Sequence, residues 1–257
     1  MDNAHIEENG PARKRKNDEE LKGFPLWCAG GFVSVLVPII PPGATLSPNS
    51  TVKEPGKIPG IKKDNGTWTG LPNWPNIVMT EERANIAGAW GASVGLKTAE
   101  FPFLDGDIDD PVAALAAKEL AIQILGGAPE RYRPNSSRWG LLYQGNGFRK
   151  RRYVFVKDDK KHAVELLGEG NQFVAEGRHS KDEIYKWRGE HPCVLRPEGL
   201  PELTAEKLDV FFAKLIPLME EGSQLQLPVH ILSVRERVEA FEQARIVAAK
   251  DASGSEG

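Results

Sequence analysis

"FPFLDGDIDDP" (residues 101–111) joins an apolar run to four aspartates, at 105, 107, 109 and 110. In an extended strand, side chains alternate between the two faces. Phe103, Asp105, Asp107 and Asp109 then share one face, and Leu104, Gly106 and Ile108 the other. Asp110-Pro111 has the form of a helix start, a capping carboxylate followed by proline at the first helical position. "VAALAAKELAIQIL" (112–125) continues that helix, and Gly126-Gly127 ends it. A strand running straight into a helix, with carboxylates at the junction, is the frame around which the rest is placed.

Upstream, "FVSVLVPII" (32–40) predicts a β-strand stopping at Pro41-Pro42. Residues 41–76 predict a long irregular stretch rich in Pro, Gly, Asn and Thr and punctuated by Trp68 and Trp74. A loop of that length is usually functional. "TEERANIAGAW" (80–90) predicts a short helix capped by Thr80. "ASVGLKT" (92–98) predicts a strand whose Gly95 allows close approach. Downstream, "WGLLYQ" (139–144), "RYVFV" (152–156), "AVELL" (163–167) and "NQFVAE" (171–176) alternate short strands with turns. A helix follows from Thr204 to about Glu221, and an amphipathic helix over about 233–249. Strand, helix, then several strands indicate a mixed α+β fold. The expected organisation is a disordered tail (1–20), a main domain (21–200), a helical C-terminal region (201–250) and a second disordered tail (251–257).

Composition narrows the function classes. The chain has 257 residues, 40% hydrophobic and 27% charged, with a net charge of −3. That balance excludes a globally basic nucleic-acid coat but not a local basic groove. Only Cys28 and Cys193 occur, far apart and outside any CxxC motif. This argues against a disulfide scaffold or zinc module and fits a reducing cytoplasm. The longest apolar run has nine residues, whereas a membrane span needs about 20. The N-terminal "MDNAHIEENGPARKRKNDEE" has no apolar core of the signal-peptide type. Its "RKRK" (13–16) reads as part of a solvated tail or as a nucleic-acid contact.

Alternate residues on a strand lie roughly 7 Å apart, so Asp105 and Asp107 repel unless a cation sits between them. Helix-start electrostatics account for Asp109 and Asp110, but not for Asp105 and Asp107, which precede the first turn. Magnesium-like ions take such carboxylates together with substrate phosphates. A partner carboxylate is offered by "HAVELLGEGNQF" (162–173), where Glu165 interrupts an apolar strand; it reads either as that partner or as the solvent-facing member of an edge strand. "FVAEGRHS" (173–180) places Arg178 and His179 after a strand and a glycine, as phosphate ligands or loop residues. Arg138 and the run "RKRR" (149–152) lie between the acidic elements. Arginine's fork suits phosphate, although a charge run is also an ordinary solvated turn.

The order of these features resembles the prim-pol type of bifunctional DNA primase/polymerase, in the archaeo-eukaryotic primase superfamily, over residues 24 to 190. "PGKIPG", "TWTGLPNW" and "NIAGAWGASVGLKT" resemble the segments before the family's acidic motif. "LDGDIDDPVAA" is similar to its aspartate-x-aspartate motif, and "LGGAPERYRPNSSRWGLLY" to the helix end and next strand. "VELLGEGNQFVAEGRHSKDEIYKW" resembles the third acidic motif together with the segment on its C-terminal side.

The resemblance implies a two-part α/β core, one part like an RNA-recognition motif, with the site in the cleft between. Residues 21–200 would be the catalytic domain. Asp105, Asp107 and Glu165 would hold two magnesium or manganese ions, with Asp109 as a further candidate ligand. Arg138, Arg178, His179 and Lys57 would hold phosphates of a nucleoside triphosphate. The implied partners are single-stranded DNA template and primer and a separate helicase, and the implied setting is the replication of a phage or mobile replicon. The chain departs from the family pattern in four respects. "SSRWGLLYQ" lacks the usual serine-x-histidine, the third acid is glutamate, and there is neither a GxxxxGK[ST] loop nor a zinc-binding cysteine cluster. Two other classes fit the same residues: a two-metal nuclease, and a non-catalytic DNA-binding or initiator protein of the same fold. Trp68, Trp74 and Trp139 are candidates for base stacking or core packing, with the core expected for at least two.

Overall fold

A computed structural model of the chain describes residues 21–180 and 183–220. The predicted tails and the 233–249 helix lie outside them. The architecture is α+β with antiparallel sheets. The strand at the acidic stretch is β5 (Phe103–Asp107), and α3 (Pro111–Leu125) follows it. Asp110 caps α3 by accepting the Ala113 N–H at 2.7 Å.

Ahead of β5 come α1 (Phe24–Ala29), β1 (Leu36–Ile39), β2 (Gly60–Lys62), β3 (Trp68–Gly70), α2 (Glu81–Ala89) and β4 (Ser93–Lys97). Behind α3 come β6 (Glu130–Tyr132), β7 (Trp139–Leu142), β8 (Arg151–Lys157), β9 (Lys160–Leu167), β10 (Gln172–Glu176), β11 (Lys186–Arg188), α4 (Pro192–Gly199) and α5 (Ala205–Glu220). The strands form a sheet of order β11-β6-β7-β5-β9-β8, a second of order β1-β4-β10, and the β2-β3 hairpin.

Two expectations are corrected. The predicted 32–40 strand begins with a 3-10 turn at Val33–Val35, and only Leu36–Ile39 pair with β4. Pro38 is tolerated because β1 is an edge strand. The predicted irregular stretch contains the β2-β3 hairpin, docked through Ile40 N–H to the Ile58 carbonyl at 3.0 Å. In the C-terminal region, α5 packs against α3. Phe211, Phe212, Leu208 and Leu215 share a core with Leu104, Ile108, Ala117 and Val164. Its start is as read, with Thr204 accepting the Lys207 N–H at 3.3 Å.

The six-stranded sheet has one greasy face and one divided face. Leu104 and Ile108 point from β5 into the α3/α5 core. Trp139 is buried in the same layer and ties β7 to α3 by donating from Nε1 to the Ala114 carbonyl at 2.8 Å. On the opposite face, Phe103 stacks on Phe173 of β10 at 3.8 Å between centroids and joins the two larger sheets. Beyond Phe103 that face carries charge. Trp68 is also buried, so the core reading holds for Trp68 and Trp139, while Trp74 is half-buried. Among the described residues no helix is long and apolar enough to cross a membrane.

Candidate active site

β5 lies between β7 and β9, and the β5–β9 register pairs Asp105 directly with Glu165. Residues directly opposite on an antiparallel pair have Cβ atoms about 4.5–5.5 Å apart. Two carboxylates from segments 60 positions apart are therefore neighbours. Asp107, two residues along β5, shares their face. On the other side of β5, Asp105 faces Gly140, over which the Phe103 ring lies.

All three carboxylates line one pocket of about 330 Å³. Lys57, Arg138 and His179 line it too, so three of the four expected phosphate ligands are brought there. Arg178 is not. The backbone turns at Gly177, which takes φ 140°, and Arg178 lines a second cavity with Ser93 and Glu176.

Each carboxylate is engaged with a cation. Asp105, 23% exposed, meets Arg131 Nη2 at 3.4 Å. Asp107, 46% exposed, accepts from Arg138 Nη1 at 3.0 Å. Glu165, 15% exposed, pairs with Arg152 Nε at 2.6 Å and Lys150 Nζ at 3.4 Å. Asp109 accepts two bonds from Arg138. Burial pushes the Asp105 carboxyl up to about 6; Arg131 opposes this, while Asp107 and Glu165 add to it.

The fit to a divalent ion is one of donor chemistry. Three hard carboxylates lie on one face beside phosphate-matching cations, which is what magnesium or manganese requires. The side chains point to their arginine and lysine partners and not to a common centre. Among the described residues no three His, Cys, Asp or Glu groups are gathered closely enough to hold an ion. Binding would therefore exchange ion pairs for metal bonds.

Several residues of the pocket escaped the sequence reading. The Arg131 guanidinium sits against the rings of Phe103, Phe173 and Tyr185 at 4.7, 5.4 and 4.5 Å, and donates to the Val174 carbonyl at 2.7 Å. Buried Arg133 donates to Glu183, and to Ser136 Oγ at 3.1 Å, and lies 3.3 Å from His179 Nδ1. The signal was present in "ERYR" (130–133), where arginines two apart share a strand face, but a three-residue strand gives little alternation to read. The "RKRR" run splits by the same rule. Arg151 turns to Asp209 at 2.6 Å and lies over Phe212, whereas Arg152 turns to Glu165. Compared with protein-family models and with curated proteins, the chain matches no family model and no curated protein.

Proposed function

We propose that the chain carries out metal-dependent nucleotidyl transfer, making or extending a primer on single-stranded DNA from nucleoside triphosphates during replication of a phage or mobile replicon. The observation that carries this reading is the register of Asp105 against Glu165, with Asp107 beside them and phosphate-matching cations around the same pocket. The sheet with α3 and α5 on one face and the carboxylates on the other supports the RNA-recognition-motif-like core that the sequence resemblance implies.

A bound magnesium or manganese ion would supply positive charge for the triphosphate and acidify the primer 3′-hydroxyl. Asp105, Asp107 and Glu165 are the residues to hold it. Arg138, Lys57 and His179 orient the phosphates from the rim, and Arg131 and Arg133 add positive charge at the pocket wall. Arg138 stands immediately before β7, near the place where the family pattern has its histidine, and its Nη1 is the donor it offers to a phosphate. The free thiols of Cys28 and Cys193 suit a reducing cytoplasm, and a separate helicase would open the duplex.

The test is primer extension on a single-stranded template with manganese. The Asp105→Ala/Asp107→Ala protein should lose extension by about a thousandfold, the scale of several kcal/mol of charge stabilisation, and still bind template. Equal extension by both proteins would remove the assigned site. Template cleavage without extension would instead select the nuclease reading, and binding without either reaction the initiator reading.

A further inference from the structure

The fourth aspartate of the opening stretch has a partner that decides its role. Asp109 Oδ1 accepts from Arg138 Nε at 2.8 Å, and Oδ2 from Nη2 at 3.3 Å, a side-on bidentate pair. Only the third nitrogen, Nη1, reaches Asp107, at 3.0 Å. Two bonds hold the fork to Asp109 and one bond reaches out from it. The backbone at 109 is itself held on both sides. His162 Nδ1 accepts the Asp109 N–H at 3.2 Å, and Ser137 Oγ sits 2.9 Å from its carbonyl and 2.7 Å from that of Ile108. The Asp109 bonds keep the Arg138 guanidinium firmly charged.

We propose that Asp109 is the anchor of Arg138 and not a cation ligand, and that Arg138 competes with a divalent cation for Asp107. A cation arriving at Asp107 displaces Nη1. Asp109 keeps the rest of the fork in place, so the freed N–H faces the pocket as a phosphate donor. One arginine thus links cation entry to nucleotide positioning. The proposal rests on the carboxylate reading above.

The experiment measures Mn²⁺ alone, by the electron paramagnetic resonance of the free ion, against the wild type and four single variants. Binding of a fluorescent nucleoside triphosphate is measured in parallel. Asp107→Asn should weaken Mn²⁺ binding about tenfold or more, through loss of a charged ligand. Asp109→Asn should change it less than about twofold yet weaken triphosphate binding about threefold, because the fork loses one charge-assisted pair of surface strength. Arg138→Gln should tighten Mn²⁺ binding about fivefold, the value of removing one competing charge about 4 Å away in a hydrated site. Loss of any nearby cation tightens Mn²⁺ through charge alone, so the comparison with Arg138→Lys isolates the competition for Asp107. Arg138 and Asp109 are 37% and 51% exposed, so these variants should fold, as thermal unfolding would verify. Arg138→Lys, which keeps the charge without the fork, should tighten Mn²⁺ by a smaller factor.

If Asp109→Asn weakens Mn²⁺ as much as Asp107→Asn does, Asp109 is a ligand and the proposal is wrong. Unchanged or weaker Mn²⁺ binding in Arg138→Gln also overturns it. Either result with a weakened Asp107→Asn leaves the carboxylate site standing. If Asp107→Asn binds Mn²⁺ as the wild type does, the carboxylate reading and this proposal fall together.

Discussion

At the scale of single residues, Asp105 carries the largest cost. It is buried beside two further carboxylates, and Arg131 offsets this only in part, because the net effect is a carboxyl raised to about 6. The sign comes from proton linkage. The folded state holds the Asp105 proton more tightly than the unfolded chain, whose carboxyl titrates near 3.8. Stability from this group is therefore present at acid pH and is lost as pH rises from about 4 through about 6. Asp105→Asn removes the charge at nearly constant shape. In chelator at pH 8 it should raise stability by about 1–2 kcal/mol, part of the ~1.4 kcal/mol per pKa unit being given back by the weakened Arg131 contact. That is a rise in Tm of about 2–8 °C, shrinking towards zero at pH 4.5, while extension activity is lost. A variant less stable than the wild type at pH 8 would show that Arg131 outweighs burial. Asp105 and Glu165 were legible from sequence because each interrupts an apolar strand. Arg131 was not, since its aromatic surroundings come from three distant segments.

At the scale of elements, long period-two strands and capped helices could be read, and short pieces could not. Asp110 and Thr204 gave the starts of α3 and α5 because a cap is local chemistry. The β2-β3 hairpin was missed because three-residue strands are too short to show alternation. Helix α4 was hidden by its internal Pro197, where Arg196 takes φ 61°. The β5–β7 pair makes the most specific demand at this scale. A Cβ on Gly140 would stand 2.0 Å from the Phe103 ring, and that ring stacks on Phe173 and backs Arg131. Gly140→Ala should displace the ring and cost about 1–3 kcal/mol, as overpacking does, together with extension activity through Arg131 and Asp105. Gly127→Ala has open space around its Cβ and should stay within about 0.5 kcal/mol of the wild type. Denaturant unfolding of the two variants side by side decides it; equal midpoints would mean that Phe103 moves freely.

At the scale of the whole molecule, the pocket exists because two sheets meet. Residues 172–174 of β10, in the three-stranded sheet, line it opposite β5 and β6 of the six-stranded sheet. No local pattern encodes that meeting; it depends on Phe103 and Phe173, 70 positions apart, stacking in the folded chain. What the sequence could not reveal is thus mostly long-range pairing, whereas the carboxylates themselves stood out. The net charge of −3 likewise hides how the charges are distributed. Lys57, Arg149, Lys150, Lys160 and Lys161 are exposed, and Lys57 and Lys150 border the pocket itself. Lys150 is only loosely held by Glu165, which has Arg152 closer, and Lys161 shares the sheet face of Glu165. A strand of DNA whose end reaches Asp105 would cross this rim, and each phosphate neutralised there releases counterions. Binding of a single-stranded oligonucleotide should then weaken linearly on a log–log salt plot. Lys150→Ala/Lys161→Ala should lower the slope by about 1.4, at about 0.7 per phosphate contact on a single strand. Thermal stability should stay near that of the wild type, because both lysines are exposed. A slope unchanged by the double substitution would move the template path off the β8–β9 rim and onto the side of the pocket bordered by Lys57.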